Sequence, residues 1–248
     1  MSEELSQEMN LVEMPVEGVA AYWLSLKKIM GAKVVPKTLE DEAQNTAEPF
    51  IRGMLDLCIS GLDDATARHA ALRRRDTVLH DMRLKLGLMR DALLSIAVGE
   101  NPRMVLMRMF ARLPLPVITE ENVTKMALDM VRLAEANKDG YVVTVSTKLT
   151  REELVVKLMF YVLWARREGK AAIEVFGQNG RCRYFNQGLV MTADGHDRSF
   201  IKTCLDTAAE EILDDAGQKM GLTLDMALAL RSKTSYEDMF RIAQAYIP

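Results

Sequence analysis

The side chains best suited to chemistry gather in one short loop of the sequence. Asp194, His196 and Asp197 fall within four residues. A histidine between two carboxylates can act as a general base or as half of a metal site. Cys182 or Cys204 would have to lie beside it to act as a nucleophile. The plainer interpretation, which we favour, is that Asp197 caps the following helix and His196 is exposed.

Other catalytic signatures are missing from the sequence. It contains no GxGxxG or GxxxxGK[ST] phosphate loop, no GxSxG, no HExxH and no CxxC. Only three histidines are present, which restricts both metal binding and general-base chemistry. The sequence therefore predicts no catalytic residue, no metal and no cofactor, and we favour a non-enzymatic role.

The sequence also bears on the compartment. Cys58, Cys182 and Cys204 are an odd number of cysteines without metal-ligand spacing, which predicts reduced thiols. The first ten residues are acidic and lack the apolar core of a signal peptide. The longest apolar run, residues 154–165, is interrupted by Lys157 and is too short to cross a bilayer. We expect a cytoplasmic protein without a membrane segment.

The longest structural signal is a helix predicted over residues 63–98. Leucine recurs every seventh residue, and apolar residues follow three positions after most of these leucines, which is an a/d heptad pattern. Such a seam can pack inside the chain, pair with a second copy or bind a partner protein. The candidate partner-binding residues on it are Leu72, Leu79, Met82, Leu86 and Met89.

Charge is unevenly distributed. The whole chain carries a net charge of −3, yet residues 68–112 carry +6 and residues 1–67 carry −7. A basic block of this kind can face an acidic partner, the chain's own N-terminal segment or nucleic acid. The candidate residues for nucleic-acid or acidic-partner binding are Arg68, Arg73, Arg74, Arg75, Arg181 and Arg183.

The N-terminal part, residues 1–137, is predicted to be helical. Residues 1–14 form a loose tail and residues 31–48 a linker, with helices before and after the linker. Pro49 is expected at the first position of one helix and Thr119 at the cap of another.

The C-terminal part, residues 138–248, is predicted to contain a small three-stranded sheet. The strands are expected at residues 141–146 and 171–176 and from residue 181 to about 191, with a hairpin at Asn179-Gly180 and a bulge at Gly188. A buried helix begins at the Thr150–Glu153 capping box. Helices over residues 198–216, 224–231 and 235–246 close the chain. The predicted fold class is therefore α+β, predominantly α-helical.

Two functions are consistent with these features. The first is a non-enzymatic assembly or adaptor-like regulatory protein that binds partner proteins, or a second copy of itself, through the long helix. The alternative is a nucleic-acid-binding regulator that uses the basic segment 68–75 or the hairpin arginines.

Overall fold

The computed structural model describes residues 11–31, 35–114, 117–137, 141–177 and 182–247. Within these ranges the regular structure is helical throughout. The helices are α1 Val16–Met30, α2 Pro36–Asn45, α3 Pro49–Ile59, α4 Asp64–Ala97, α5 Pro102–Ala111, α6 Glu120–Ala136, α7 Arg151–Glu168, α8 Glu174–Gly177, α9 Arg183–Ala193, α10 Arg198–Arg231 and α11 Tyr236–Gln244, with a 3₁₀ turn at Lys170–Ile173 before α8.

Packing divides the chain into two compact units. Unit 1 contains the described residues up to His80 and from Ile212 onward, and unit 2 contains Asp81–Glu211. The sequence-based division at residue 137 followed composition, whereas these units follow contacts. Each of the long helices α4 and α10 supplies residues to both units. No helix in the described ranges is long and apolar enough to cross a membrane.

The predicted three-stranded sheet is wrong, because two of its strands are helical. Ile173 and Phe176 are buried three residues apart, which is a helical spacing. In α9, Tyr184, Phe185 and Leu189 are buried on one helical face. The predicted hairpin therefore has no strand arms, and its Asn179-Gly180 tip lies outside the described residues.

The remaining predicted strand, residues 141–146, has no regular secondary structure and belongs to no sheet among the described residues. The predicted bulge at Gly188 is instead the middle of α9. A Cβ at Gly188 would collide with Leu93 Cδ1, so glycine lets α9 lie close to α4. The fold class in the described part of the chain is thus all-α instead of α+β.

Two regions are more helical than expected. Residues 36–45 of the predicted linker form α2, which begins with Pro36 at its first turn. The predicted break between the helices at residues 198–216 and 224–231 does not occur, and α10 runs unbroken for 34 residues. At Gly221 the ring of Tyr246 approaches within 3.4 Å of the Cβ position, so this glycine accommodates an aromatic contact.

Local cap signals are confirmed. Asp63 Oδ1 accepts from Thr66 N at 3.0 Å and caps α4, and Thr119 caps α6. Thr150 and Glu153 form the reciprocal capping box of α7, and Ser235 caps α11. Such side chains satisfy the first amides of a helix, which is why these starting points could be read from the sequence.

Each unit has its own apolar core. In unit 1 the fully buried side chains include Trp23, Phe50 and Leu55, which come from α1 and α3. In unit 2 the predicted buried helix α7 is confirmed, and Phe160 packs edge-on to Phe176 at a centroid distance of 5.1 Å. Each unit also contains one of the two tryptophans, Trp23 and Trp164.

Candidate functional site

Unit 2 contains an open groove that we call the α5–α6 groove. Helices α5 and α6 each pack against α7 and make at most marginal contact with each other. The gap between them has a volume of about 600 Å³. It is lined by Pro102, Arg103, Leu106, Glu120, Glu121, Thr124, Lys125, Leu128, Asp129, Arg132, Met159 and Leu163.

Apolar side chains form the inner surface of the groove. Leu106 comes from α5, Leu128 from α6, and Met159 and Leu163 from one face of α7. Leu106 and Met159 are buried, whereas Leu128 is 40% exposed. The twelve-residue step along α6 from Glu120 to Arg132 corresponds to about 18 Å of helix, so the groove is about as long as three helical turns.

Charged residues form the rim. Arg103, Glu120, Glu121 and Lys125 make no ion pair within the described part of the chain. Asp129 and Arg132 pair with each other at 3.1 Å, yet both remain largely exposed. A surface with an apolar centre and a charged rim of both signs has the anatomy of a protein interface.

The α5 wall is held in place by ion pairs and a hydrogen bond to α4 and to the residues that follow it. Arg112, which follows α5, donates from Nε to Asp91 Oδ2 at 2.6 Å. Arg108 of α5 pairs with Glu100 and donates to Ser95 Oγ. Asp91 is only 7% exposed, and Arg112 supplies the positive charge that makes its burial tolerable.

The α6 wall is tied to the groove floor. Glu135 near the end of α6 pairs with Arg167 near the end of α7. Val123, Ala127 and Val131 bury one face of α6. Exposed residues of α6, among them Lys125 and Asp129, line the groove. The α5 wall is thus attached to α4 and the residues after it, and the α6 wall is attached to α7. Because neither wall depends on contact with the other, the space between them stays open.

The candidate partner-binding residues of α4 lie inside the chain's own fold. Met82, Leu86 and Met89 are 7%, 2% and 0% exposed. Leu72 and Leu79 are partly buried against the unit 1 core. The heptad pattern is therefore used for intramolecular packing, and it does not leave an apolar seam free.

Most arginines of the basic segment have structural contacts. Arg74 Nη2 donates to the Pro49 carbonyl at 2.8 Å, and its side chain occupies the space left by the missing Cβ of Gly53. Arg75 pairs with Asp76 at 3.1 Å. Among the described residues, exposed Arg73 has no ion-pair partner.

Arg68 belongs to a small polar cluster. It lies 3.9 Å from Asp225 Oδ1, while Tyr246 Oη donates to Asp225 Oδ2 at 2.6 Å. Burial, together with the hydrogen bond to Asp225, raises the pKa of Tyr246 to about 12. Arg183 is exposed at the start of α9, and Arg181 lies outside the described residues. Of the described candidate arginines, Arg183 belongs to unit 2 and the other four belong to unit 1.

The structure of the histidine loop agrees with the plainer interpretation, a helix cap beside an exposed histidine. Asp197 Oδ2 accepts from Ser199 N at 2.8 Å and caps α10. The hydrogen bond from the Ser199 hydroxyl, together with that from the Ser199 N–H, lowers the pKa of Asp197. His196 is about half exposed, 4.0 Å from Asp194, and its ring lies 5.2 Å from that of Phe200. No cluster of three or more metal-ligating side chains occurs in the described residues.

The groove residues were not identified from the sequence. Their apolar members come from three helices, and their charges are isolated instead of clustered. One signal was available: Leu128 and Leu133 lie outside the buried stripe of α6 and are exposed. Single exposed leucines are common on protein surfaces. They indicate an interaction surface only when apolar residues of neighbouring helices lie beside them and form one continuous patch.

Comparisons with protein-family models, with curated proteins and with solved structures found no significant match to this chain.

Proposed function

We propose that this chain is a non-enzymatic interaction protein that binds an amphipathic helix of a partner protein in the α5–α6 groove. The observation that carries the proposal is the three-turn groove with an apolar floor between two walls that barely touch. A fourth helix would complete a bundle with α5, α6 and α7, which is the usual way in which amphipathic helices bury their apolar face.

The partner helix has a defined chemistry. Apolar side chains spaced at i, i+3 or i+4, and i+7 would contact Leu106, Leu128 and Met159. Acidic side chains would face Arg103 and Lys125, while basic ones would face the glutamates at the start of α6. This proposal relocates binding from the heptad residues of α4 to unit 2, because those residues are packed internally.

We place this function in the cytoplasm. Cys58 and Cys204 are free thiols. Cys58 is buried, with its thiol donating to the Ala227 carbonyl at 3.3 Å, and burial raises the pKa of this thiol to about 12. A protonated, enclosed thiol suits a reducing compartment and takes no part in nucleophilic chemistry.

The test is affinity capture from an extract of the native cells with two matched α6 variants. Leu128→Asp places a charge inside the groove on the α6 wall, whereas Leu133→Asp places one at a 52% exposed position outside the groove lining. We expect Leu128→Asp to lower recovery of a bound protein about tenfold or more, equivalent to at least ~1.4 kcal/mol. Leu133→Asp should retain it.

Thermal unfolding of both variants serves as the folding control. Because both leucines are substantially exposed, we expect similar transition temperatures. Equal recovery with both folded variants, or recovery of no protein that distinguishes them, contradicts the groove as the binding site.

A further inference from the structure

The directions of the helices around the α5–α6 groove follow from contacts at their ends. Glu135, near the end of α6, pairs with Arg167, near the end of α7. These two helices also pack against each other. Two packed helices whose C-terminal ends lie together run in the same direction, so α6 and α7 are parallel.

Helix α5 runs in the opposite direction. Arg166 Nη1, near the end of α7, donates to the Gly99 carbonyl at 3.3 Å, and Lys170 Nζ donates to the Ala97 carbonyl at 2.8 Å. Gly99 lies three residues before Pro102, the first residue of α5, so α5 begins beside the end of α7. Because α5 packs against α7 from this point, it is antiparallel to both α7 and α6.

These directions give the groove two ends with opposite charge. The glutamate end, at the start of α6, has two glutamates and one lysine, which are Glu120, Glu121 and Lys125. The arginine end, at the start of α5, has two arginines and one aspartate, which are Arg103, Arg132 and Asp129. All six side chains are exposed, so they are available to a bound molecule.

The two ends are far enough apart to act separately. Glu120 and Arg132 are twelve residues apart on α6, which corresponds to about 18 Å of helix. This distance exceeds the Debye length of about 8 Å at physiological ionic strength. A bound helix therefore meets negative charge at one end of the groove and positive charge at the other.

We propose that the groove fixes the direction of the helix that it binds. The first turn of the partner helix lies at the arginine end and carries Asp or Glu, and its last turn lies at the glutamate end and carries Lys or Arg. This inference rests on the proposed function, because it specifies the partner of the same groove.

The partner's own dipole favours this direction. Acidic side chains in the first turn and basic side chains in the last turn stabilise an isolated helix. In the proposed direction, the charges that match the groove are the ones that stabilise the free helix. The reverse direction requires a basic first turn and an acidic last turn, which destabilise the free helix and increase the entropy lost on binding.

The neighbouring helices favour the same direction. A partner that begins at the arginine end is antiparallel to α6 and α7 and parallel only to α5. Its N-terminal partial positive charge then lies beside the C-terminal partial negative charges of two helices. Antiparallel neighbours are also the usual arrangement in up-down helical bundles.

The experiment uses the full chain and two synthetic amphipathic peptides of about 14 residues, which form about four helical turns. Both have the same composition and the same leucine face. The acid-first peptide has Glu in the first turn and Lys in the last, and the base-first peptide has them exchanged. We expect the acid-first peptide to bind about tenfold more tightly at low salt in fluorescence anisotropy, with a smaller ratio at high salt.

Charge exchange in the protein separates recognition by the rim from the helicity of the free peptides. Arg103→Glu combined with Glu121→Lys reverses both ends, so the preference for the acid-first peptide should fall at least fivefold. The matched control combines Arg73→Glu with Glu174→Lys, two exposed positions outside the groove lining, and should keep the native preference. Thermal unfolding checks that both double variants fold.

A nitroxide label on the peptide reports the direction itself. With the label at the N-terminus of the acid-first peptide, NMR signals of Arg103 and Arg132 should broaden more than those of Glu120 and Glu121. A label at the C-terminus should give the reverse pattern.

The outcomes distinguish the direction from the groove. Equal affinities of the two peptides, an unchanged preference in the charge-exchanged variant, or broadening at the wrong end overturns the fixed direction. Groove binding still stands in these cases if Leu128→Asp abolishes it. Binding of neither peptide, or binding that Leu128→Asp leaves unchanged, overturns the groove and the direction together.

Discussion

Charged side chains have different roles in the basic segment of unit 1 and around the groove of unit 2. In unit 1, Arg74 donates to the first residue of α3, and Arg231 donates to the Leu57 carbonyl at the end of that helix. Around the groove, Arg103 and Lys125 have no ion-pair partner within the described residues. A cluster of arginines in sequence is therefore used for structure here, whereas isolated charges on two helices form the open surface.

The largest effect on stability should come from substitution of Arg231 in unit 1. Arg231 donates to the Leu57 carbonyl at 2.7 Å, to the Ser60 carbonyl at 3.0 Å, and to Asp64 at 2.9 Å. It also donates to the Leu62 carbonyl. We predict that Arg231→Ala lowers the free energy of unfolding of unit 1 by about 3 kcal/mol, because several carbonyls lose a charged donor.

The two tryptophans make this measurement specific to a unit. In a Trp164→Phe background, the fluorescence of Trp23 reports on unit 1 during urea unfolding, and the reciprocal background reports on unit 2. Arg231→Lys is the matched variant, and it should restore only part of the loss because an ammonium lacks the planar fork. An Arg231→Ala chain with an unchanged Trp23 transition would show that these hydrogen bonds contribute little.

Two glycines, one in α9 and one in α10, test how closely these helices approach α4. Gly188→Ala places its methyl group against Leu93 and Leu205 in unit 2, so we predict a loss of about 1–2 kcal/mol. Gly217→Ala meets only Leu79, at 3.8 Å, so it should stabilise unit 1 by about 0.5–1 kcal/mol through helix propensity. Equal effects of the two substitutions in chemical unfolding would refute the close approach of α9 to α4.

The sequence predicted the local features of this fold well. Helix starts at Asp63, Thr119, Thr150 and Ser235 were correct because capping depends on residues within one turn. The all-apolar pattern of α7 correctly indicated burial. These signals are short-range, and a single sequence contains them in full.

Features that depend on distant partners were predicted poorly. The β-branched run at residues 141–146 was predicted as a strand, but it has no regular secondary structure, because strand formation depends on pairing with other segments. The short run at residues 171–176 fits either a two-residue or a helical period, and tertiary packing selected the helical one. The groove was not predicted because its residues are brought together by the packing of α5 and α6 on α7.

A smaller effect concerns the pH dependence of unit 2. Burial opposes ionisation of Asp81, but hydrogen bonds from Lys85 and Arg151 outweigh it and hold the pKa of this carboxyl below 3.8. The folded state therefore favours the ionised form, and the stabilisation is full above about pH 4 and lost as the pH falls through the lowered pKa. We predict that Asp81→Asn is less stable than the native chain at pH 7 by about 1 kcal/mol, with the difference shrinking below pH 4.

Trp164 fluorescence in a Trp23→Phe background measures this difference between pH 7 and pH 3. Asp129→Asn is the control, because its pair with Arg132 is largely exposed and should contribute little at any pH. A difference between Asp81→Asn and the native chain that stays constant down to pH 3 would contradict the assignment.

The smallest effect is expected at Arg73, the arginine of the basic segment that has no ion-pair partner in the described structure. We predict that Arg73→Glu changes the free energy of unfolding by less than about 0.5 kcal/mol. In mobility-shift experiments with duplex and single-stranded DNA at low salt, the native chain should show no retardation. Salt-dependent retardation that is lost in Arg73→Glu would support nucleic-acid binding instead of the protein-binding role.

The central proposal, that unit 2 binds its partner in the α5–α6 groove, is tested most directly by site-specific photo-crosslinking in native cells. Benzoylphenylalanine replaces Thr124 inside the groove or Leu133 outside its lining, two positions on the same helix. We predict a discrete protein adduct from position 124, none from position 133, and loss of the first adduct when Leu128→Asp is added. The same adduct from both positions, or no adduct from position 124, would contradict the proposal.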